Sequence, residues 1–341
     1  MTVRKTRRSG RLLAMRQIFR LVSVAAQGLA LPAAVTAQSQ PATVPVAPFL
    51  TLSKDACDSN PALPMLENRI RQSVAGARWQ DLASAAQELI RTCPTSDLGY
   101  HWLGASYLRQ DRTFAAIRAL QASQARREDA GVHLLLAEAY FKLGQKKFFW
   151  EEIYSARRLS PQEAGIYYLA GLFEFQTEEA YDKAAEWFRK ALQNNADHIL
   201  ARCYLALCLR VEHAAEAEVL LLDGIRRRQT TDVHNAQLLQ LLVSLELDLG
   251  HSSVALEHAR NAARLAPRSA KIQAGLGKAA WVNGNLDEAR TALESARSLD
   301  PNDPAVHYLL SRVYAAQGID DRARQELVSF QALKEQYHDA N

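Results

Sequence analysis

Between Ala270 and Asp303, small and apolar residues fall mostly in steps of three, four and five. Leu276-Gly277, Ala280, Gly284, Ala289, Leu293, Ala296 and Pro301 take positions 7, 8, 11, 15, 20, 24, 27 and 32 of a 34-residue unit. Residues so spaced share one face of a helix. A glycine at position 15 suits a turn, because a positive φ costs it little. A proline at position 32 stops a second helix. The unit is therefore predicted to be a helical hairpin. Small residues at 8 and 20 let its two helices approach, and larger ones at 4, 7, 11 and 24 fill the groove between them.

The pattern recurs along the chain. A unit starting at Ala236 places Leu242, Gly250, Ala255, Ala259, Ala262 and Pro267 in register, and one starting at Pro304 places Leu310, Tyr314, Gly318, Ala323, Leu327 and Phe330. Upstream, Ala130–Pro161 supplies Leu136-Ala137, Tyr140, Gly144, Ile153, Ala156 and Pro161, and Asp97–Asp129 supplies Leu103-Gly104, Tyr107, Ala116 and Leu120. Ala164–Asp197 shows Ala170-Gly171, Tyr181, Ala184, Phe188 and Ala191, with one extra residue in its first turn. Two units are degenerate: 62–96, seen through Trp79, Ala86, Leu89 and Pro94, and 198–232, seen through Leu205, Ala217, Leu221 and Gly224.

This spacing resembles that of the tetratricopeptide repeat (TPR) family. The resemblance implies an all-α, right-handed superhelical solenoid of about eight TPR helical hairpins, near one superhelical turn, whose first helices line a concave groove. The expected units lie near 62–96, 97–129, 130–163, 164–197, 198–232, 236–269, 270–303 and 304–337, with 338–341 as a short tail.

Composition agrees with an ordered helical chain. Apolar residues make up 48% and charged residues 23%, and the apolar share leans on Ala and Leu. The net charge of +4 changes meaning once it is divided along the chain. Residues 1–37 hold seven basic and no acidic side chains, so the remainder carries 41 − 7 = 34 basic against 37 acidic, a net of −3. Such a balance disfavours nucleic-acid binding, which needs a positive field.

The basic head precedes the weakly apolar run Leu21–Ala37, with Val35 and Ala37 suited to a signal-peptidase site. Gln27, Gly28 and Pro32 interrupt the run, and it is too short for a membrane span of about 20 apolar residues. Residues 1–37 are therefore expected to be a signal peptide, cleaved near Ala37, in a bacterial protein destined for the periplasm or secretion. Met15 makes a more ordinary start than Met1. Residues 38–61 form a Pro- and Ala-rich linker and cap, extended rather than amphipathic.

No catalytic pattern emerges. The chain has no Gly-x-Ser-x-Gly elbow, no His-Glu-x-x-His helix and no phosphate loop, and Gly275-Leu-Gly277-Lys278 lies inside a first helix. The expectation is a non-enzyme without cofactor or metal, its nine histidines solvated or satisfied. Cys57 and Cys93 flank the first hairpin and form a disulfide candidate, with two buried thiols as the alternative. Cys203 and Cys208 point about 140° apart on one helix, so they are read as core.

In the family, positions 2, 5, 9, 12 and 13 of each first helix face the groove. Here the resemblance puts His101, Leu108 and Arg109 there, then Leu134, Glu138, Phe141 and Lys142, Gln240, Leu247 and Asp248, Lys271, Lys278 and Trp281, and Tyr308 and Arg312. Lys271, Lys278 and Arg312 form a basic cluster suited to acidic segments. Phe141 and Trp281 read equally as partner contacts or as packing between hairpins. The Lys/Asn set with which chaperone-binding members clamp a terminal carboxylate is absent. The expected function is a scaffold or adaptor that binds a protein or extended peptide. The alternative is an accessory subunit of a membrane-bound envelope-assembly or secretion complex, tethered by an uncleaved head.

Overall fold

The computed structural model describes residues 62–227 and 234–339, with side chains of the last helix described as far as Gln336. The described residues hold sixteen α-helices in eight hairpins and no strand. The first four hairpins pair α1 (Leu63–Ala75) with α2 (Trp79–Thr92), α3 (Asp97–Arg109) with α4 (Thr113–Gln124), α5 (Ala130–Lys142) with α6 (Lys146–Leu159), and α7 (Ala164–Thr177) with α8 (Tyr181–Asn194). The next four pair α9 (Ile199–Leu209) with α10 (Ala214–Arg226), α11 (His234–Asp248) with α12 (Ser252–Leu265), α13 (Ala270–Val282) with α14 (Leu286–Leu299), and α15 (Pro304–Ala316) with α16 (Asp320–Asp339).

The turn chemistry follows the repeat. Gly144, Gly250, Gly284 and Gly318 sit between the helices of their hairpins at φ of 67°, 79°, 78° and 74°. Three hairpins force other residues into the same left-handed region: Ala77 at 49°, Asp111 at 56° and Glu179 at 48°. Second helices end at Cys93, Ser160, Ala266 and Asp300, which turn to φ near −140° just ahead of Pro94, Pro161, Pro267 and Pro301. First helices then start under side-chain caps. Ser96, Asp129, Glu163 and Asp303 accept backbone N–H bonds from Leu98, Gly131, Gly165 and Ala305 at 3.3, 2.8, 3.1 and 2.9 Å.

Position 8 is where the two helices of a hairpin meet. A Cβ added to Gly104 would lie 2.5 Å from Leu120 Cγ, one added to Gly171 would lie 2.7 Å from Phe188 Cε1, and one added to Gly277 would lie 2.4 Å from Leu293 Cγ. Gly277→Val is accordingly expected to pry α13 from α14 and cost about 1–3 kcal/mol or more of stability. Thermal melting checks this, and an unchanged Tm would show that the interface opens without penalty.

First helices pack on the first helices of neighbouring hairpins all the way from α3 to α15, whereas second helices make no comparable contact with one another. The first helices are thus crowded on the inside of a curve and the second helices splayed on its outside, which is a solenoid with a concave inner wall. Outer ties are ion pairs between second helices, such as Arg260 with Glu288 at 2.8 and 2.7 Å.

Candidate concave binding surface

At about 100° per residue, positions 2, 6, 9 and 13 of a first helix lie roughly 100–160° round from position 8, so they face away from the second helix and into the concavity. The chemistry at these positions changes along the array. From α3 to α9 it is dominated by Leu98, Trp102, Leu135, Leu169, Leu172, Tyr204 and Leu207. From α11 onward it turns polar, with Gln237, Ser244, Asp248, Lys271, Lys278 and Arg312.

Exposure changes with it. On α1 the four positions (Pro64, Asn68, Arg71, Ala75) are all exposed. On α3 and α7 the apolar ones are closed, Leu98, Trp102 and Ala105 being 5%, 2% and 2% exposed and Leu169 and Leu172 3% and 8%, while Gln176 at the end of α7 is exposed. Leu135 of α5 is 2% exposed. Beyond α9 the wall opens, with Lys278, Val282, Ala305, Arg312 and Ala316 all exposed.

The residues expected at the groove divide accordingly. Leu108 and Leu134 are fully buried and serve packing. His101 is 4% exposed, lies edge-on to Trp102 at 5.1 Å between ring centroids, and has its pKa lowered to about 4 by burial. Arg109 and Glu138 form a bidentate pair across α3 and α5, at 2.6 and 3.1 Å, with side chains only 4% and 13% exposed. Lys142 reaches back to Asp111 Oδ1 at 2.6 Å. Phe141 is half-buried against Phe149 and Phe173 of the same and next hairpins, with centroids at 5.9 and 5.5 Å. Asp248 is bonded to Arg210, which also donates to Ser244 Oγ at 3.0 Å. Gln240 and Leu247 are half-buried. The charges of the first half are thus spent on ties between hairpins.

The C-terminal residues come together differently. Trp281 is half-buried, with the Arg312 guanidinium 5.8 Å from its ring centroid. Tyr308 is 42% exposed and leans on Phe330 at 5.4 Å. Lys278 and Arg312 are exposed and make no ion pair among the described residues. Lys271 is half-buried, and burial lowers its pKa.

Several features escaped the repeat pattern. Phe149 stands at position 20, where most other units have alanine, and it stacks on Phe173 at 4.1 Å as the centre of an aromatic cluster with Phe141 and Trp150. Two histidines at position 4 pair with a glutamate at position 23 of their own hairpin: His133 with Glu152 at 2.5 Å and His307 with Glu326 at 2.6 Å. Glu246 Oε1 accepts from His258 Nδ1 at 2.8 Å, which raises the histidine's pKa. No group of three or more His, Cys, Asp or Glu side chains fit to hold a metal is found among the described residues. Cys203 and Cys208 are free thiols, each with its pKa pushed up to about 12 by burial. Cys93 is a half-cystine, and Cys57 lies outside the described residues, as do the expected signal peptide and linker.

Comparison with known proteins agrees with this geometry. Family models described as tetratricopeptide repeat match residues 152–199, 247–313 and 283–340. Superkiller protein 3 of Schizosaccharomyces pombe is 25% identical over 203 residues, 54% of this chain but only 14% of that protein's length. Yeast Tom70 superposes with a TM-score of 0.57 at 17% identity, over 85% of this chain and 67% of its own. The APC/C hetero-tetramer Cut9–Hcn1 gives 0.54 at 19% identity, over 81% and 53%. A tetratricopeptide repeat protein from Parabacteroides merdae gives 0.51 at 18%, over 74% and 98%. The described chain is an all-α tetratricopeptide-type solenoid. No helix among its described residues is long and apolar enough to cross a membrane.

Proposed function

We propose that this chain is a non-catalytic scaffold whose concave groove holds a protein or extended peptide, engaged through the open wall of α13 and α15. The carrying observation is that Lys278, Trp281, Tyr308 and Arg312 stand together on those two first helices, exposed or half-exposed and without acidic partners among the described residues. Aromatic and cationic side chains side by side are the composition of a protein-binding hot spot, and they suit a segment rich in acidic residues. The likeness in fold to a chain found in a hetero-tetramer with Hcn1 is in keeping with such a role. The test is retention of partners from the native host by the wild-type chain and by K278E/R312E. Loss of at least tenfold in affinity for a partner, with an unchanged Tm, is expected; equal retention would remove this surface from the function.

The same proposal places the mature protein outside the cytoplasm, cleaved near Ala37. Mass spectrometry of the protein from its host is expected to find a chain beginning near Gln38. An intact head would instead favour a subunit tethered to a membrane complex. In that oxidising setting Cys57 is the partner of Cys93. A loop of about 35 residues closed in this way is worth roughly 3–4 kcal/mol. Thiol titration under denaturing, non-reducing conditions is expected to count two free thiols, Cys203 and Cys208, and a count of four would exclude the bond.

A further inference from the structure

From the second hairpin to the seventh, position 27 is held by Ser123, Ala156, Ala191, Gly224, Ala262 and Ala296, all of them buried. The first helix of the next hairpin keeps these residues small: a Cβ added to Gly224 would lie 3.1 Å from Leu238 of α11. In the eighth hairpin the same position holds Phe330, half-buried. Position 24 changes with it. Leu120, Ile153, Phe188, Ala259 and Leu293 are at most 2% exposed there, whereas Leu327 is 40% exposed. This face of α16 is bare, yet a phenyl ring stands where another first helix would come closest, so it is not shaped to receive one more hairpin. The face is also long, since α16 has 20 residues where α14 has 14.

We infer that α16 is a dimerisation helix, covered by α16 of a second copy that runs antiparallel to it across a two-fold axis at Leu327. Asp320, Arg324, Leu327, Gln331 and Lys334 follow one another in steps of four and three, the spacing of a helix–helix seam, and all five are exposed. Asp320 and Lys334 make no ion pair among the described residues. Charge identifies the occupant. Leu327 stands midway between Asp320 and Lys334, so turning the stripe end for end brings Asp320 onto Lys334 of the partner subunit. The same rotation sets Arg324 opposite Gln331 of the partner subunit and Leu327 against its own counterpart, and no like charges meet. A two-fold interface needs one surface that complements itself, and opposite charges at equal distances from an apolar centre supply it. A parallel pairing would set aspartate on aspartate and lysine on lysine, which is unfavourable. Head-to-tail stacking, with α1 of another copy in the place of a next first helix, would meet Phe330. Pairing through α16 holds whether or not the concave groove takes a partner.

The test is sedimentation equilibrium of the full chain over a dilution series, which reads the mass and the dissociation constant together. The wild-type chain is expected to reach twice its monomer mass. D320K and K334D, each of which sets like charges against each other twice in the dimer, are expected to weaken it by about tenfold or more. The double reversal D320K/K334D carries both changes to α16 yet restores opposite charges, so it is expected to return to within about threefold of wild type. L327E, with unchanged circular dichroism, is expected to be monomeric. A wild-type chain that stays monomeric at every concentration would overturn the inference. A double reversal as weak as the single ones would overturn it as well, and so would a dimer that none of these substitutions weakens. The readout is mass, so none of these failures touches the partner surface on α13 and α15, which K278E/R312E tests separately by partner retention.

Discussion

Phe149→Ala is expected to cost about 3–5 kcal/mol of stability, one of the largest losses available to a single side chain here. The ring is completely buried and stacks on Phe173 with centroids 4.1 Å apart and planes 14° from parallel. It also touches Trp150 at 5.1 Å and Phe141 at 5.9 Å. Truncation removes contacts on both sides of the junction between the third and fourth hairpins. Trp150 is itself held by Trp187 and Tyr154, so the void closes poorly. A repeat array is stabilised by contacts between adjacent units, so the loss should uncouple α1–α6 from α7–α16 and broaden the unfolding transition. Urea unfolding followed by circular dichroism measures both effects. Phe149→Leu should cost under about 2 kcal/mol, because most of the volume is kept. A loss below about 1 kcal/mol for the alanine variant would mean that the cluster collapses onto the gap.

Arg109→Ala is expected to be comparably damaging, at roughly 3–5 kcal/mol, for an electrostatic reason. Glu138 lies on the inner wall with a side chain 13% exposed, and both its oxygens accept from the Arg109 guanidinium. Removing the cation leaves a carboxylate that is short of water and has lost its counter-charge. Replacing both partners with apolar residues of similar size, R109M/E138L, should recover most of the loss, since two desolvated charges gain little over a packed apolar pair. A double-mutant cycle on unfolding free energies separates these cases. If R109A alone proves nearly neutral, water reaches Glu138 once the guanidinium is gone.

Much of the architecture can be read without coordinates, and the reason is local. Gly277 and Gly104 have to be small because the second helix passes directly over them. Gly250 and Gly284 take a positive φ that an L side chain resists, and Pro161 and Pro267 follow residues already turned out of the helix. Constraints of this kind act over one hairpin and repeat with it, so they appear in the sequence as a period. The first unit is degenerate partly because the constraint can be met at some cost by another residue, as Ala77 does in its left-handed turn.

The candidate site was legible only in part. The register placed Lys278, Trp281, Tyr308 and Arg312 on the inner wall; in the structure Lys278 and Arg312 are exposed at position 9, Tyr308 is exposed at position 5 and Trp281 is half-buried at position 12. It placed His101, Leu108, Arg109 and Glu138 on the same wall, where they are buried or paired. Register assigns a direction to a side chain and says nothing about what lies across from it. The Arg109–Glu138 pair joins residues 29 apart, and the Phe149–Phe173 stack joins residues in different hairpins. The sequence alone thus determines that the chain folds as stacked helical hairpins, where each turns and which helix faces inward, because those are decided within about 34 residues. The tertiary structure alone decides which inward side chains are free to meet a partner, because that depends on pairing and cover between units that the period treats as identical.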